Sequence, residues 1–98
     1  MPMFEDRERA YEAKFAHDQE MRFLAIARRD KLLAHTVATK FKIAEDQLTS
    51  RILALQDGPG HDERVIQAVT TVLQNHGSTV PDADIAGWLA ECAIQAAL

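Results

Sequence analysis

Cysteine is almost absent: Cys92 stands alone, so no internal disulfide can form. Its neighbours Ala90, Ala93 and Ile94 read as a helix interior, where a thiol serves as a small hydrophobe. There is also no run of some 18 apolar residues that could span a bilayer. The opening Met-Pro-Met-Phe-Glu-Asp lacks the basic stretch and apolar core of an export leader. These absences predict a cytoplasmic protein without direct membrane insertion. An excess of positive charge is missing too, since the net charge is −4. Residues 1–42 carry nine Lys and Arg against seven Asp and Glu, a balance of +2, whereas residues 43–98 carry two against eight, a balance of −6. Nucleic-acid binding depends on neutralising phosphates, and neither half supplies the basic patch for it.

Signatures of chemistry are equally scarce. None of His17, His35, His61 and His76 stands at metal-ligand spacing from a second His or Cys, which predicts solvated or capping histidines. Gly58-Pro59-Gly60 lacks the Lys-Ser or Lys-Thr with which a glycine-rich loop holds phosphates, and reads as a turn. Ser78 and Thr79 carry no mark of an activated nucleophile, and Cys92 on an apolar helix face should have a raised pKa and be inert. The expectation is a protein that is not an enzyme and holds neither cofactor nor metal.

What is present is helical patterning. A chain of 98 residues, 47% apolar and 27% charged, suits one small folded body. Residues 5–20 contain no Gly or Pro and few β-branched residues, and Glu5 precedes Arg9 by four positions in the favourable orientation. From Phe23 onward, Phe23, Ile26, Ala27, Leu33, Ala34, Val37, Ala38 and Phe41 recur at helical spacing as a wide apolar face. With no breaker between the two stretches, the pattern predicts one long helix from about Glu5 to Thr39, where β-branched residues and Lys40 weakly signal its end. A second helix is expected over Ala44–Gln56, with Ala44, Leu48, Ile52 and Leu55 inward. A third is expected over Asp62–His76, with Val65, Ile66, Val69, Val72 and Leu73 inward and Gly77 as a left-handed cap. A fourth begins near Pro81 and buries Ile85, Trp88, Leu89, Cys92 and Ala96. The predicted class is all-α: a four-helix antiparallel bundle with a long first helix and a projecting or mobile N-terminal segment. The densest basic cluster, Arg28, Arg29 and Lys31, has Glu20 and Asp30 nearby and is expected to face water. Trp88 is expected to anchor the core.

The N-terminal stretch has little reason to pack on its own molecule. Phe4, Tyr11 and Phe15 form one stripe, spaced seven and four, with only Ala10 and Ala13 to widen it. Interspersed Arg7, Arg9 and Lys14 complete a set of side-chain types that anchor protein interfaces, and spaced anchors of this kind suit a helix docked in a groove. The organisation read from this is a partner-binding segment over residues 1–18 and a helical bundle over residues 19–98.

The run from Phe4 to Asp18, FEDRERAYEAKFAHD, followed by Glu20, Phe23, Ala27-Arg28-Arg29 and Lys31-Leu32-Leu33, closely resembles the ATPase inhibitor zeta subunit of bacterial F-type ATP synthases. The likeness is strong over residues 4–33 and looser beyond. After Leu33 the family pattern tends to continue with Gly and an aromatic residue where this chain has Ala34-His35-Thr36, and Asp30 replaces a usual Asn. The resemblance implies a four-helix fold and an inhibitory N-terminal segment that enters a catalytic interface between the alpha and beta subunits near gamma. There it obstructs rotation in the hydrolytic direction. Carried over by position, the partner-binding residues are Phe4, Asp6, Arg7, Arg9, Tyr11, Lys14 and Phe15. The implied protein is a monomer when free and attaches peripherally to the membrane-bound enzyme. The alternative is a divergent paralogue that binds nucleotide or serves as a non-inhibitory assembly or scaffold protein.

Overall fold

The computed structural model describes the backbone of residues 2–97 and the side chains of residues 18–97. No glycine or proline interrupts residues 3–57, and a single helix, α1, runs Pro2–Phe41. It is followed by α2 (Glu45–Leu53), α3 (His61–Asn75) and α4 (Asp82–Ala97). There is no strand among the described residues. α1 packs against α2 and α4, and α3 closes the bundle against the same two helices. A 40-residue helix is about 60 Å long, against about 24 Å for one the length of α4. The other three helices therefore flank less than half of α1, and the molecule measures 66 × 23 × 23 Å.

The ends of the helices follow from local chemistry. α1 stops where Lys42 takes a left-handed conformation, with φ 55°, and the Ile43 amide returns to the Ala38 carbonyl at 3.1 Å. Ile43 and Ala38, each 7% exposed, make the apolar contact that accompanies such a cap. The stop falls at Phe41, two residues past the β-branched signal at Thr39. α2 is shorter than its pattern suggested. It ends at Leu53 because the chain turns there to offer the Gln56 carbonyl to α3. Ala44 caps α2 in an extended conformation and is exposed; Ile43 takes the inward place expected of it. Gly77 closes α3 as expected at φ 81°, with Ser78 N–H on Leu73 O at 2.8 Å and Gly77 N–H on Gln74 O at 3.0 Å. Pro81 precedes α4 and accepts its first amide, that of Asp84, at 3.0 Å. Thr70 on α3 donates to Asp82 at 3.0 Å, tying α3 to the start of α4.

The core holds Leu33, Val37, Leu48, Ile52, Val65, Val69, Val72, Leu73 and Ile85, all essentially without exposure. Leu89, Cys92 and Ala96 are also buried, as their spacing predicted. Ile66 and Leu55 are only partly buried at its margin. Burial pushes the Cys92 thiol up, and the Thr36 hydroxyl offsets this only in part.

Three further expectations are corrected here. Phe23 and Ile26 are 55% and 38% exposed, because the α2–α3 corner leaves open clefts beside them, and Ala27 is the first partly buried apolar residue of that face. Trp88 is partly buried at the bundle edge, tilted against Phe41 with ring centroids 6.0 Å apart and carrying Lys40 Nζ 4.6 Å above its ring. It seals an edge instead of filling the centre. Arg29 does not face water: it is 9% exposed, for the reason given below.

Candidate partner-binding surface

Where α1 meets the α2–α3 corner, four charged groups interlock. Asp30, 3% exposed, lies one helical turn before Leu33 and Ala34 and points into the same interior. Its Oδ2 is 2.8 Å from His61 Nε2, and its Oδ1 accepts from Arg29 Nε at 3.0 Å. Arg29 Nη2 lies 2.9 Å from Asp62 Oδ1 and 3.0 Å from Asp30 Oδ1. Neither contact has hydrogen-bond alignment, so the attraction there is ionic. Burial works against the Arg29 charge, but Asp62 and Asp30 together hold its pKa above the ordinary value.

His61 is 8% exposed, so of the two places expected for the histidines, solvated or capping, it does not take the solvated one. Its Nδ1 donates to the Gln56 carbonyl at 2.8 Å, so both ring nitrogens face acceptors and are satisfied together only when both carry protons. Burial disfavours the imidazolium, yet the bond to Asp30, the Gln56 carbonyl and Asp57 at 4.0 Å raise the His61 pKa above its usual value. His35, 3.2 Å from Glu45, and His76, the C-cap of α3, are exposed as expected. Arg28 and Lys31 are exposed too, with Arg28 reaching the Ala96 carbonyl at 3.3 Å.

This network floors two clefts beside α1. The tighter, of about 70 Å³, lies among Phe23, Ile26, Asp30, Leu53, Leu55 and His61. The wider, of about 300 Å³, shares Phe23, Ile26, Asp57 and His61 with it and is walled also by Gln19, Arg22 and Asp62. Met21, Leu24 and Leu53 are 53%, 50% and 47% exposed, so large apolar side chains surround α1 where it leaves the bundle. The seven sequence-derived partner residues, Phe4, Asp6, Arg7, Arg9, Tyr11, Lys14 and Phe15, have side chains outside the described residues; their backbone belongs to α1. Sequence reasoning missed the Asp30–His61 pair. Its available signal was that Asp30 stands three, four and seven positions before Leu33, Ala34 and Val37, on the stripe that becomes core. It also missed Met21 and Leu24, which lie off that stripe.

Among the described residues no group of three His, Cys, Asp or Glu side chains could hold a metal ion, and no helix is long and apolar enough to cross a membrane. The described fold is a small helical body with one helix far outrunning it, apolar where it emerges. The family model for the ATPase inhibitor subunit zeta matches residues 1–98, the whole chain, and the chain belongs to that family. The match extends over the stretch beyond residue 33 where the likeness was looser. The family is one of inhibitor subunits, not a catalytic one, and assigns the chain a general role in inhibiting ATP synthase. No curated protein and no solved structure matches the chain.

Proposed function

We propose that this chain blocks ATP hydrolysis by inserting the N-terminal part of α1 at a catalytic interface between the alpha and beta subunits of a bacterial F-type ATP synthase, near gamma. Phe4, Tyr11 and Phe15 supply the apolar anchors, and Asp6, Arg7, Arg9 and Lys14 supply charged contacts beside them. The observation that carries this reading is the continuity of α1 from Pro2 to Phe41 while, among the residues whose side chains are described, its buried positions begin at Arg29. A rod held at one end by a folded body can enter a crevice and transmit resistance to a rotating part. Ordering free chain on binding costs about 1–2 kcal/mol per residue in backbone entropy, so a helix rooted in a bundle docks at lower cost than a loose peptide would. The protein acts from the cytoplasmic side as a peripheral subunit.

Removing residues 1–15 tests this directly. The truncated protein should keep the cooperative melting of the bundle, since the core residues described, Leu33 to Ala96, are all retained, and should no longer inhibit ATP hydrolysis by the matching enzyme. Inhibition that survived the truncation would refute the mechanism.

A further inference from the structure

The His61 ring joins two elements. Its Nε2 lies 2.8 Å from Asp30 Oδ2 on α1, and its Nδ1 lies 2.8 Å from the Gln56 carbonyl in the corner between α2 and α3. An ionised carboxylate and a carbonyl only accept hydrogen bonds, so a neutral ring, with one N–H, must turn a lone pair on one of them. A lone pair against the carboxylate of Asp30, which is 3% exposed, is the costlier of the two, because a buried charge needs its donor more than a neutral carbonyl does. The last proton therefore stays on Nε2, and the Gln56 carbonyl loses its donor on the ring. That carbonyl has an alternative, since it also accepts from Arg64 Nη2 at 2.9 Å in an exposed bond. Its segment can follow it: residues 56–60 are all exposed, and stretches with few buried contacts open most readily.

We propose that His61 is a pH-operated latch: protonated, it clasps the Gln56–Gly60 corner to α1, and as pH rises it stays on Asp30 and releases the Gln56 carbonyl, freeing the corner from α1. The latch belongs to the free chain and stands whether or not α1 enters the enzyme as proposed above. Charged groups face the ring from the elements around it. α1 brings Asp30, with Arg29 on its other oxygen at 3.0 Å, and Arg22 along the wider cleft. The corner brings Asp57 at 4.0 Å. α3 brings Asp62, 2.9 Å from Arg29, and Arg64, whereas α2 lines the adjoining cleft with uncharged Ile52 and Leu53. Histidine is the one residue type in this set whose ordinary titration falls between about pH 5 and 8. Burial works against the imidazolium, but Asp30, the Gln56 carbonyl and Asp57 outweigh it and raise the pKa, so release falls above about pH 6.5. The clefts between the corner and α1 show that apolar packing there is incomplete, which leaves much of the hold to polar bonds. The Arg29–Asp62 pair still ties the start of α3 to α1, so the motion is confined to the corner.

The test is an NMR titration of the full chain across the histidine range, from about pH 5 to 9, following the His61 ring and the amides of Gln56, Asp57, Gly58 and Gly60. The His61 midpoint should lie above that of exposed His76, and the four amides should shift with the same midpoint. A His61 midpoint at or below that of His76, or corner amides that stay still through the His61 transition, overturns the latch. Hydrogen exchange, corrected for its intrinsic pH dependence, separates local release from general loosening. Across the transition the amides of Leu55 and His61, which bond Ile52 O and Gly58 O, should lose protection by about threefold or more beyond any loss at Val69 and Leu73 in the core. Equal losses at the corner and the core overturn the proposal. Asp30→Asn adds a distinct signature. The Asn amide can donate to a neutral Nε2, leaving the ring proton on Nδ1 for Gln56. In that variant the His61 midpoint should fall by about one pH unit or more, and the corner should stay clasped throughout. Corner amides that still titrate with His61 as in the wild type overturn the assignment. Should this variant fail to fold, the wild-type titration and exchange decide the question by themselves.

Discussion

Replacing Asp30 with Ala should be the most damaging single change in the charged network, and its size can be worked out. The carboxylate is 3% exposed and serves His61 Nε2 at 2.8 Å and Arg29 Nε at 3.0 Å. Removing it strands two buried cationic groups, a class of change that costs about 3–5 kcal/mol. Relief comes from Asp62, which still faces Arg29, and from His61, which can shed its proton and keep the Gln56 carbonyl through Nδ1. The low end, about 3 kcal/mol, is therefore expected. For a domain of this size each kcal/mol is worth roughly 4–8 °C, so the melting temperature should fall by about 12–24 °C. Urea unfolding followed by circular dichroism and by the fluorescence of Trp88, the sole tryptophan, gives the free energy. A loss below about 1 kcal/mol would mean that the cost of burying the pair had cancelled its attraction, and would refute the argument. A pH series adds a sign. Because the folded pKa of His61 is raised, the native state holds a proton above the ordinary histidine value that the unfolded chain has released. Its stabilisation is fully present below about pH 6.5 and is lost as pH rises through the folded value. Wild-type stability should decline over that window, and the Asp30→Ala protein should show a flatter profile there.

Other consequences are simpler. Lys42 is the one non-glycine residue with positive φ among those described, and Lys42→Gly should stabilise the protein by about 1 kcal/mol in urea unfolding, since the left-handed region costs an L side chain about 1–2 kcal/mol. Leu33, fully buried, should cost about 2–5 kcal/mol when changed to Ala, through lost contacts and the cavity left behind. The Cys92 thiol, 4% exposed and raised in pKa by its burial, should stay unreactive to a disulfide reagent at neutral pH until the bundle unfolds. Rapid labelling of the native protein would contradict its placement.

Four helices, their order and most of the core could be read from the sequence, because these depend on properties that repeat along the chain. Val65, Val69, Val72 and Leu73 recur at helical spacing, Gly77 occupies a position that demands positive φ, and Asp57 to Gly60 break the helix whatever surrounds them. The fate of single residues could not be read this way. Asp30 and Arg29 look like parts of a solvated charged face until α3 brings His61 and Asp62 within 3 Å of them. Phe23 and Ile26 continue the core stripe of α1 in pattern, yet stand exposed because α2 ends at Leu53 and the corner that follows leaves clefts beside them. Helical periodicity is a local property, set by 3.6 residues per turn, and local sequence specifies which side of a helix is apolar. How far along that side another element reaches depends on where distant segments end and turn. That decides which apolar residues become core and which remain free to meet a partner.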